Sequence, residues 1–119
     1  MKKIKIGING FGRIGRAFYK IAKERSEIEI VAINDLGSKE SMEYLLRYDS
    51  VYGMSDVDLT GVQYVSEKDP LKLPWKSLEI DVVVESTGLF TSYEKAKVHL
   101  DAGAKRVVIT ALVKDEETK

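Results

Sequence analysis

Cysteine is absent from the 119-residue sequence, and histidine and tryptophan each occur only once. Without a thiol there can be no disulfide, no thiolate metal site and no cysteine nucleophile. The 19 basic and 19 acidic side chains cancel, so charge gives no reason to expect nucleic acid or an anionic membrane as a partner. No apolar run approaches the length of a membrane span, and the first residues do not form a signal sequence. These absences favour a cytoplasmic protein that binds neither nucleic acid nor membrane.

The composition is that of an ordinary folded domain, with 44% apolar and 32% charged residues, and the length suits a single domain over residues 1–119. Apolar segments with strand periodicity alternate with segments of helical periodicity, which is typical of an α/β fold with a doubly wound, mainly parallel sheet. The predicted strands are Lys3–Asn9, Glu27–Asp35, Glu79–Gly88 and Lys105–Ala111. The predicted helices begin near Arg13, at Ser38 as N-cap and at Thr91, and the last of them runs to about Leu100 and stops at Gly103.

One segment departs from this alternation. Residues Val57–Ser66 predict two short strands around Thr60 and Gly61, paired as an antiparallel excursion from the sheet. The following segment, Glu67–Trp75, contains both prolines of the sequence and predicts an irregular loop.

The first helix carries an apolar stripe. Ile14, Phe18, Ile21 and Ala22 recur at the spacing of one face of a helix. We therefore expect these four side chains to face the core.

Three glycines, Gly10, Gly12 and Gly15, stand where the first strand passes to the first helix. This context is the one that a dinucleotide-binding fingerprint requires. In such a Rossmann-type turn the first glycine permits the tight bend, the second lets a pyrophosphate approach the main chain, and the third lets the helix pack on the strand. The helix then begins near Arg13 and Ile14, so that its free N–H groups face the phosphates.

A second signal supports this interpretation. Asp35 ends the second predicted strand, twenty residues after Gly15, where the fingerprint places a carboxylate that binds the adenosine ribose. The negative charge would repel a 2′-phosphate, so NAD is favoured over NADP. The alternative is that the glycines serve only a turn and that Asp35 is a solvated strand end.

Further polar residues end the later strands. Ser86, Thr87 and Gly88 follow the central strand and should border the same crevice, because ligands of open α/β sheets lie beyond the carboxyl ends of the strands. Thr110 is placed in the same way, although both threonines are equally compatible with simple strand ends.

No residue of the sequence is a candidate for catalysis or for binding a metal. His99 has no partner that the sequence identifies, and we expect it to be partly exposed on a helix flank. The acidic run Asp115–Glu117 has no metal-ligand spacing and is interpreted as a solvated tail.

Several segments occur in a family-specific order: NGFGRIGR, VAIND, YLLRYDS, EKDP, VVVESTGLFT and DAGAKRVVITA. In this respect the sequence resembles the amino-terminal half of the glyceraldehyde-3-phosphate dehydrogenases. The resemblance implies an NAD-binding Rossmann domain of a glycolytic, cytoplasmic, usually homotetrameric oxidoreductase that converts an aldehyde phosphate to an acyl phosphate.

The resemblance also implies roles for individual residues. Asp35 would bind the adenosine ribose, Lys68 would lie near the adenine, and Thr110 would lie toward the nicotinamide side. Main-chain contacts to the pyrophosphate are implied at Gly10, Phe11, Gly12, Arg13 and Ile14, and a wall around adenine and ribose at Thr87, Gly88 and Phe90.

The family's cysteine nucleophile has no counterpart in this sequence. We therefore expect an isolated, truncated domain that binds NAD but does not catalyse alone. Two alternatives stay open. The parent enzyme could act on another aldehyde phosphate, such as erythrose 4-phosphate, or the chain could be a stand-alone or engineered nucleotide-binding module.

Overall fold

The structure is a computed structural model that describes residues 3–48, 59, 61–86 and 97–109. Within these ranges five strands form one sheet in the order β3-β2-β1-β4-β5, and every pairing between neighbours is parallel. The strands are β1 (Ile4–Asn9), β2 (Ile28–Asn34), β3 (Gln63–Val65), β4 (Val82–Glu85) and β5 (Arg106–Ile109). The α-helices are α1 (Arg13–Ala22), α2 (Lys39–Tyr48) and α3 (Val98–Asp101), and a short 3-10 helix spans Pro70–Lys72.

The register between β1 and β2 contains an irregularity. Ile6 is opposite Ile30, but the next pair is Gly7 with Ala32, so one residue of β2 is extra. An extra residue reverses the alternation of side chains beyond it. As a result Ile30 and Ile33 belong to the same core cluster, and the two strands end side by side.

Each face of the sheet is covered. Trp75, which is fully buried, packs on the face opposite to α1, and Gly7 makes room for its indole ring. A Cβ at Gly7 would lie 2.7 Å from Cζ3 of that ring. The cluster on the α1 side comprises Ile6, Ile8, Phe11, Tyr19, Ala22, Ile30, Ile33, Leu46, Leu59, Val62 and Val84, and that on the opposite side comprises Ala32, Leu73, Trp75, Ile80, Val83 and Ala104.

The face that α1 presents to the core differs from the predicted stripe. Ile14 and Ile21 are 48% and 60% exposed, and Phe18 is only partly buried. Of the predicted stripe only Ala22 is fully in the core. The buried residues of the helix are Gly15, Arg16, Tyr19 and Ala22. The expectation for Ile14 and Ile21 was therefore wrong, because the close contact of Gly15 with the preceding turn fixes the rotation of the helix.

The predicted parallel α/β sheet is confirmed, with β-strands and helices in the expected order. The N-cap at Ser38 is also confirmed, since its Oγ accepts a hydrogen bond of 3.1 Å from the Ser41 N–H. Gly103 follows α3 with a φ of 116°, as a helix stop requires. The beginning of that predicted helix, at Thr91, lies outside the described residues. None of the helices in the described part of the chain is long and apolar enough to cross a membrane.

The antiparallel excursion is not shown. Its second half forms β3, which pairs parallel with β2 from Ala32 to Asn34. Val57, Asp58 and Thr60, from its first half, lie outside the described residues. The loop predicted after it contains the 3-10 helix.

Candidate functional site at the switch point of the sheet

The strand order places a topological switch point at β1. The chain leaves β1 toward β2 on one side, whereas β4 lies on the other. In open α/β sheets the crevice for a ligand forms at the carboxyl ends of the strands at such a point. Here those ends are Asn9, at the end of β1, and Glu85, at the end of β4, which are paired in register.

The turn after β1 is held tightly on its inner side. Gly10 has a φ of 95°, and its N–H donates to the Asn34 carbonyl at 2.7 Å. The Ser86 hydroxyl donates to the Gly10 carbonyl at 2.6 Å. A Cβ at Gly15 would lie 2.4 Å from that same carbonyl oxygen. The backbone conformation therefore requires glycine at position 10, and packing requires it at position 15.

Gly12 is different, because neither reason applies to it. Its φ is −78°, which any residue adopts, and among the described residues nothing lies within 4 Å of a Cβ built there. Gly12 is the N-cap of α1 and supplies no side chain to the helix N–H groups, and the first turn contains no acidic residue. The first helical residues, Arg13 and Ile14, are exposed. An anion can therefore approach the N–H groups at the start of α1 directly.

Asp35 closes the site on the β2 side. Its Oδ2 accepts a hydrogen bond of 2.7 Å from the Phe11 N–H, and its Oδ1 accepts one of 2.8 Å from the Gly37 N–H. The carboxylate thus ties the glycine-rich turn to the end of β2. Because each carboxylate oxygen can accept more than one hydrogen bond, Asp35 can still accept from ligand hydroxyls.

Tyr64 of β3 lies beside this carboxylate. Its hydroxyl donates to the Gly37 carbonyl. The pKa of Tyr64 is raised to about 12, chiefly by burial and in smaller part by the negative charges of Asp35 and Glu40. The charge of Asp35 therefore acts on the Tyr64 hydroxyl of the neighbouring strand.

The two arginines of α1 have separate surroundings. The Arg16 guanidinium is buried and donates to the Phe11 carbonyl at 2.9 Å, so it supports the turn from within. Arg13 is exposed at the start of the helix. Of the two arginines, Arg16 is therefore engaged with the turn, whereas Arg13 is open to solvent at the amino end of α1.

Lys68 follows a loop residue that is fixed to the end of β2. The Glu67 N–H donates to the Asn34 side chain at 2.8 Å, and the Asn34 amide donates back to the Glu67 carbonyl at 3.1 Å. This pair of bonds holds the loop at the carboxyl end of the sheet. Lys68 itself is exposed.

His99 is fully buried, which overturns the expectation of a partly exposed helix residue. Its Nε2 lies 2.6 Å from Oε1 of Glu85, which is also fully buried. On its other side the indole Nε1 of Trp75 donates to Nδ1 at 3.1 Å. His99 is directed into the interior because Glu85 and Trp75, from other parts of the sequence, provide buried partners for its two ring nitrogens.

Three site residues were not singled out from the sequence: Asn9, Asn34 and Glu85. All three are buried, and each is the last residue of its strand. Asn9 donates to Glu85 at 2.8 Å and accepts from Asn34 at 2.7 Å. Each of these three apolar strands ends in a polar residue. Because the carboxyl ends of parallel strands lie at the same edge of a sheet, that pattern could have indicated the three residues from the sequence.

The structure brings Gly10, Phe11, Gly12 and Asp35 together at the switch point, with Arg13, Ile14 and Gly15 at the start of α1. Thr87, Gly88, Phe90 and Thr110 lie outside the described residues.

A cavity of about 420 Å³ lies elsewhere, and its lining includes Lys3, Lys23, Arg25 and Ile28. Lys3 and Ile28 stand at the amino ends of β1 and β2, so this cavity is at the opposite end of the sheet from the glycine-rich turn.

A doubly wound parallel sheet with a glycine-rich turn at its switch point, and a carboxylate after the second strand, defines a Rossmann-type dinucleotide-binding domain. Residues 4–93 match the family described as "Glyceraldehyde 3-phosphate dehydrogenase, NAD binding domain". The chain belongs to this family.

Several relatives resemble nearly the whole chain. It is 48% identical over 124 residues to a protein named cytosolic glyceraldehyde-3-phosphate dehydrogenase from Trypanosoma brucei brucei, covering 95% of this chain and 38% of that relative. Identity to a glyceraldehyde-3-phosphate dehydrogenase of Thermotoga maritima is 48% over 126 residues, covering 95% of this chain and 38% of the relative. Identity to a glyceraldehyde-3-phosphate dehydrogenase of Salmonella typhimurium is 47% over 123 residues, covering 94% of this chain and 37% of the relative. The chain thus spans a little over a third of the length of these relatives.

Proposed function

We propose that this chain binds NAD, with the pyrophosphate on the main chain of the glycine-rich turn and the adenosine ribose on Asp35. Family membership supports NAD as the cofactor. The proposal assigns the pyrophosphate contacts to the turn and the first residues of α1. These are Gly10, Phe11, Gly12, Arg13 and Ile14, with Gly15 as the packing glycine.

The open side of Gly12 is the observation that carries this proposal. Gly10 and Gly15 are explained by the fold of the chain itself, whereas Gly12 needs no unusual dihedral angle and would meet no described atom if it carried a Cβ. Gly12 directly precedes the first helical residue, so a side chain there would stand at the amino end of α1. A group that must come close to this main chain from outside accounts for glycine at this position.

Asp35 supplies the selectivity in the proposal. Its carboxylate is held in place by two main-chain N–H groups, so little freedom would be lost when ribose hydroxyls donate to it. A 2′-phosphate at the same place would meet a negative charge that the chain cannot move away. NAD is therefore preferred over NADP.

The remaining expected contacts belong to the same proposal. Lys68 would lie near the adenine, Thr87, Gly88 and Phe90 would form the wall around adenine and ribose, and Thr110 would lie toward the nicotinamide. We also propose that residues 1–119 act as one nucleotide-binding domain, because the sheet and both core clusters draw on segments from Ile4 to Ile109.

We extend the proposal to the enzyme in which such a domain acts. The matched relatives are named glyceraldehyde-3-phosphate dehydrogenases, and one is named cytosolic. We propose NAD-dependent oxidation of an aldehyde phosphate, in a cytoplasmic homotetramer, for a polypeptide that joins this domain to a part supplying a cysteine nucleophile. The 119 residues contain no cysteine, so by themselves they bind the nucleotide without catalysis.

Titration calorimetry with NAD, ADP-ribose and NADP tests the binding proposal. We expect heat from NAD and ADP-ribose and much weaker binding of NADP. ADP-ribose should bind nearly as tightly as NAD, because all the proposed contacts except that of Thr110 lie at the adenosine and pyrophosphate end. No heat with any of the three ligands would refute the proposal.

A further inference from the structure

A continuous chain of buried hydrogen bonds runs beneath the glycine-rich turn. It begins at Trp75 Nε1, passes through His99 and Glu85, and continues through Asn9 to Asn34. All five residues are at most 6% exposed. The chain of bonds crosses the sheet from the core cluster around Trp75 to the ends of β4, β1 and β2.

The donors and acceptors fix the orientation of each side chain. Because the indole Nε1–H can only donate, Nδ1 of His99 is the acceptor and Nε2 carries the proton that is directed at Glu85. The Glu85 oxygen accepts from His99 and also from the Asn9 amide nitrogen at 2.8 Å. Asn9 must therefore turn its own oxygen toward Asn34.

Asn34 connects this chain of bonds to the ligand site at two points. Its carbonyl oxygen accepts the Gly10 N–H at 2.7 Å, and the residue that follows it is Asp35. Asn9 is likewise the residue before Gly10. A change in the orientation of Glu85 would be passed to both sides of the site through these asparagines.

We propose that Glu85 and His99 are positioning residues for the nucleotide site: through Asn9 and Asn34 they set the placement of the glycine-rich turn and of Asp35, and thereby the affinity for the dinucleotide. This inference rests on the proposed function. Neither side chain touches the ligand in this account. His99 acts by donating to Glu85, and Trp75 acts by keeping the proton of His99 on Nε2.

Two substitutions of His99 separate positioning from packing. In His99→Gln the side-chain nitrogen is as many bonds from the main chain as Nε2 of histidine, so it can still donate to Glu85. In His99→Asn the side-chain oxygen corresponds to Nδ1 instead, so the bond to Trp75 can remain while the donor to Glu85 is lost. Both variants replace the ring with a buried amide, and each serves as the control for the other.

We expect His99→Asn to raise the Kd for ADP-ribose roughly ten-fold, whereas His99→Gln should stay within about three-fold of the unaltered chain. Thermal unfolding of each variant shows that the chain is folded at the titration temperature. Equal Kd values for the two variants would overturn the inference, because only His99→Gln keeps a donor to Glu85.

Trp75→Phe provides a second test without a new amide in the core. It removes the Nε1–H that fixes the proton of His99 while keeping an aromatic ring. We expect weaker ADP-ribose binding, although Trp75 is on the far side of Glu85 from the turn. An unchanged Kd in folded Trp75→Phe would contradict a role for the bond to His99.

Amide hydrogen exchange without nucleotide separates this inference from the proposed function. The Gly10 and Phe11 amides should exchange faster in His99→Asn than in His99→Gln, because their acceptors on Asn34 and Asp35 are displaced. If the unaltered chain bound no ADP-ribose but the two variants still differed in amide exchange at Gly10 and Phe11, the binding proposal alone would fail. If the two variants exchanged equally at Gly10 and Phe11, the positioning role would be refuted whatever the chain binds.

Discussion

The Phe11 N–H donates to Oδ2 of Asp35 at 2.7 Å, and this bond joins the turn after β1 to the carboxylate after β2. The two motifs that indicate a dinucleotide are therefore not only near each other but bonded to each other. Asp35 both shapes the turn that would receive the pyrophosphate and presents the charge that would receive the ribose.

Substitution of Asp35 should weaken nucleotide binding and relax its selectivity. We expect Asp35→Ala to lose about 1–3 kcal/mol of NAD binding free energy, the range for removing one partner of a charged hydrogen bond. Discrimination against NADP should fall at the same time, because the repelling charge is gone. Calorimetry with both nucleotides measures the two effects.

Glu40 supplies the matched control for Asp35, since it is an exposed carboxylate in the first turn of α2. In Glu40→Ala the NAD affinity should stay within about 0.5 kcal/mol of the unaltered chain, as is usual for surface substitutions away from a special feature. An Asp35→Ala variant that binds NAD as well as Glu40→Ala would show that the ribose is held elsewhere.

Alanine at two glycines should separate binding from folding. In Gly12→Ala we expect an almost unchanged free energy of unfolding, since among the described residues no atom lies within 4 Å of the added Cβ, but a large loss of ADP-ribose affinity. In Gly15→Ala the Cβ would lie 2.4 Å from the Gly10 carbonyl oxygen, and we expect destabilisation on the order of 1–3 kcal/mol.

Thermal unfolding and calorimetry on both glycine variants test this contrast. The account is contradicted if Gly12→Ala binds ADP-ribose as tightly as the unaltered chain. It is also contradicted if Gly15→Ala unfolds at the same temperature as Gly12→Ala.

Tyr64 should report the charge of Asp35. Its pKa is about 12 in the folded chain and near 10.0 in the unfolded chain, so its neutral form favours folding. This contribution is fully present below pH 10 and is lost as the pH rises through about 12. Absorbance titrations of the unaltered chain and of Tyr64→Phe should differ by one tyrosine that ionises well above pH 10.

In Asp35→Asn the late ionisation of Tyr64 should move to lower pH, because one of the two neighbouring negative charges is gone. It should still lie above the ordinary value, since burial is the largest cause of the raised pKa. A titration of Tyr64 that is identical in Asp35→Asn would show that Asp35 does not contribute to the raised pKa of Tyr64.

Gly7→Ala should disturb the single tryptophan. The added Cβ would lie 2.7 Å from Cζ3 of the Trp75 ring, so the ring must shift in the core. We expect destabilisation on the order of 1–3 kcal/mol and emission at longer wavelength as the ring becomes less buried. Gly12→Ala is the control, because its Cβ is remote from Trp75, and equal emission spectra for the two variants would contradict the packing described.

Much of the fold and the centre of the site could be predicted from the sequence because their signals are local. The glycine spacing, the apolar strands and the position of Asp35 each depend on a short segment. The predicted buried face of α1 was wrong because the spacing of Ile14 and Ile21 fits a helical period as well as that of Tyr19 and Ala22 does. The packing role predicted for Gly15 would have indicated the correct face, since a glycine that packs against the strand must lie on the buried side of the helix.

The chain of buried hydrogen bonds from Trp75 to Asn34 could not be predicted from local sequence patterns. His99 and Glu85 are 14 positions apart, and Trp75 and Asn9 come from still other elements. Nothing in the local pattern around His99 indicates that a carboxylate and an indole meet it inside the fold. Such partners follow only from the strand order, which places β1 between β2 and β4.

Backbone amide NMR during titration with ADP-ribose tests the central claim most directly. The account predicts saturable shifts that are largest at the amides of Phe11, Gly12, Arg13 and Ile14, together with Gly37, whose N–H is bonded to Asp35. The Gly12→Ala variant should show no such shifts at the same nucleotide concentration. Saturable shifts confined to residues away from this turn would contradict the account, whatever the affinity.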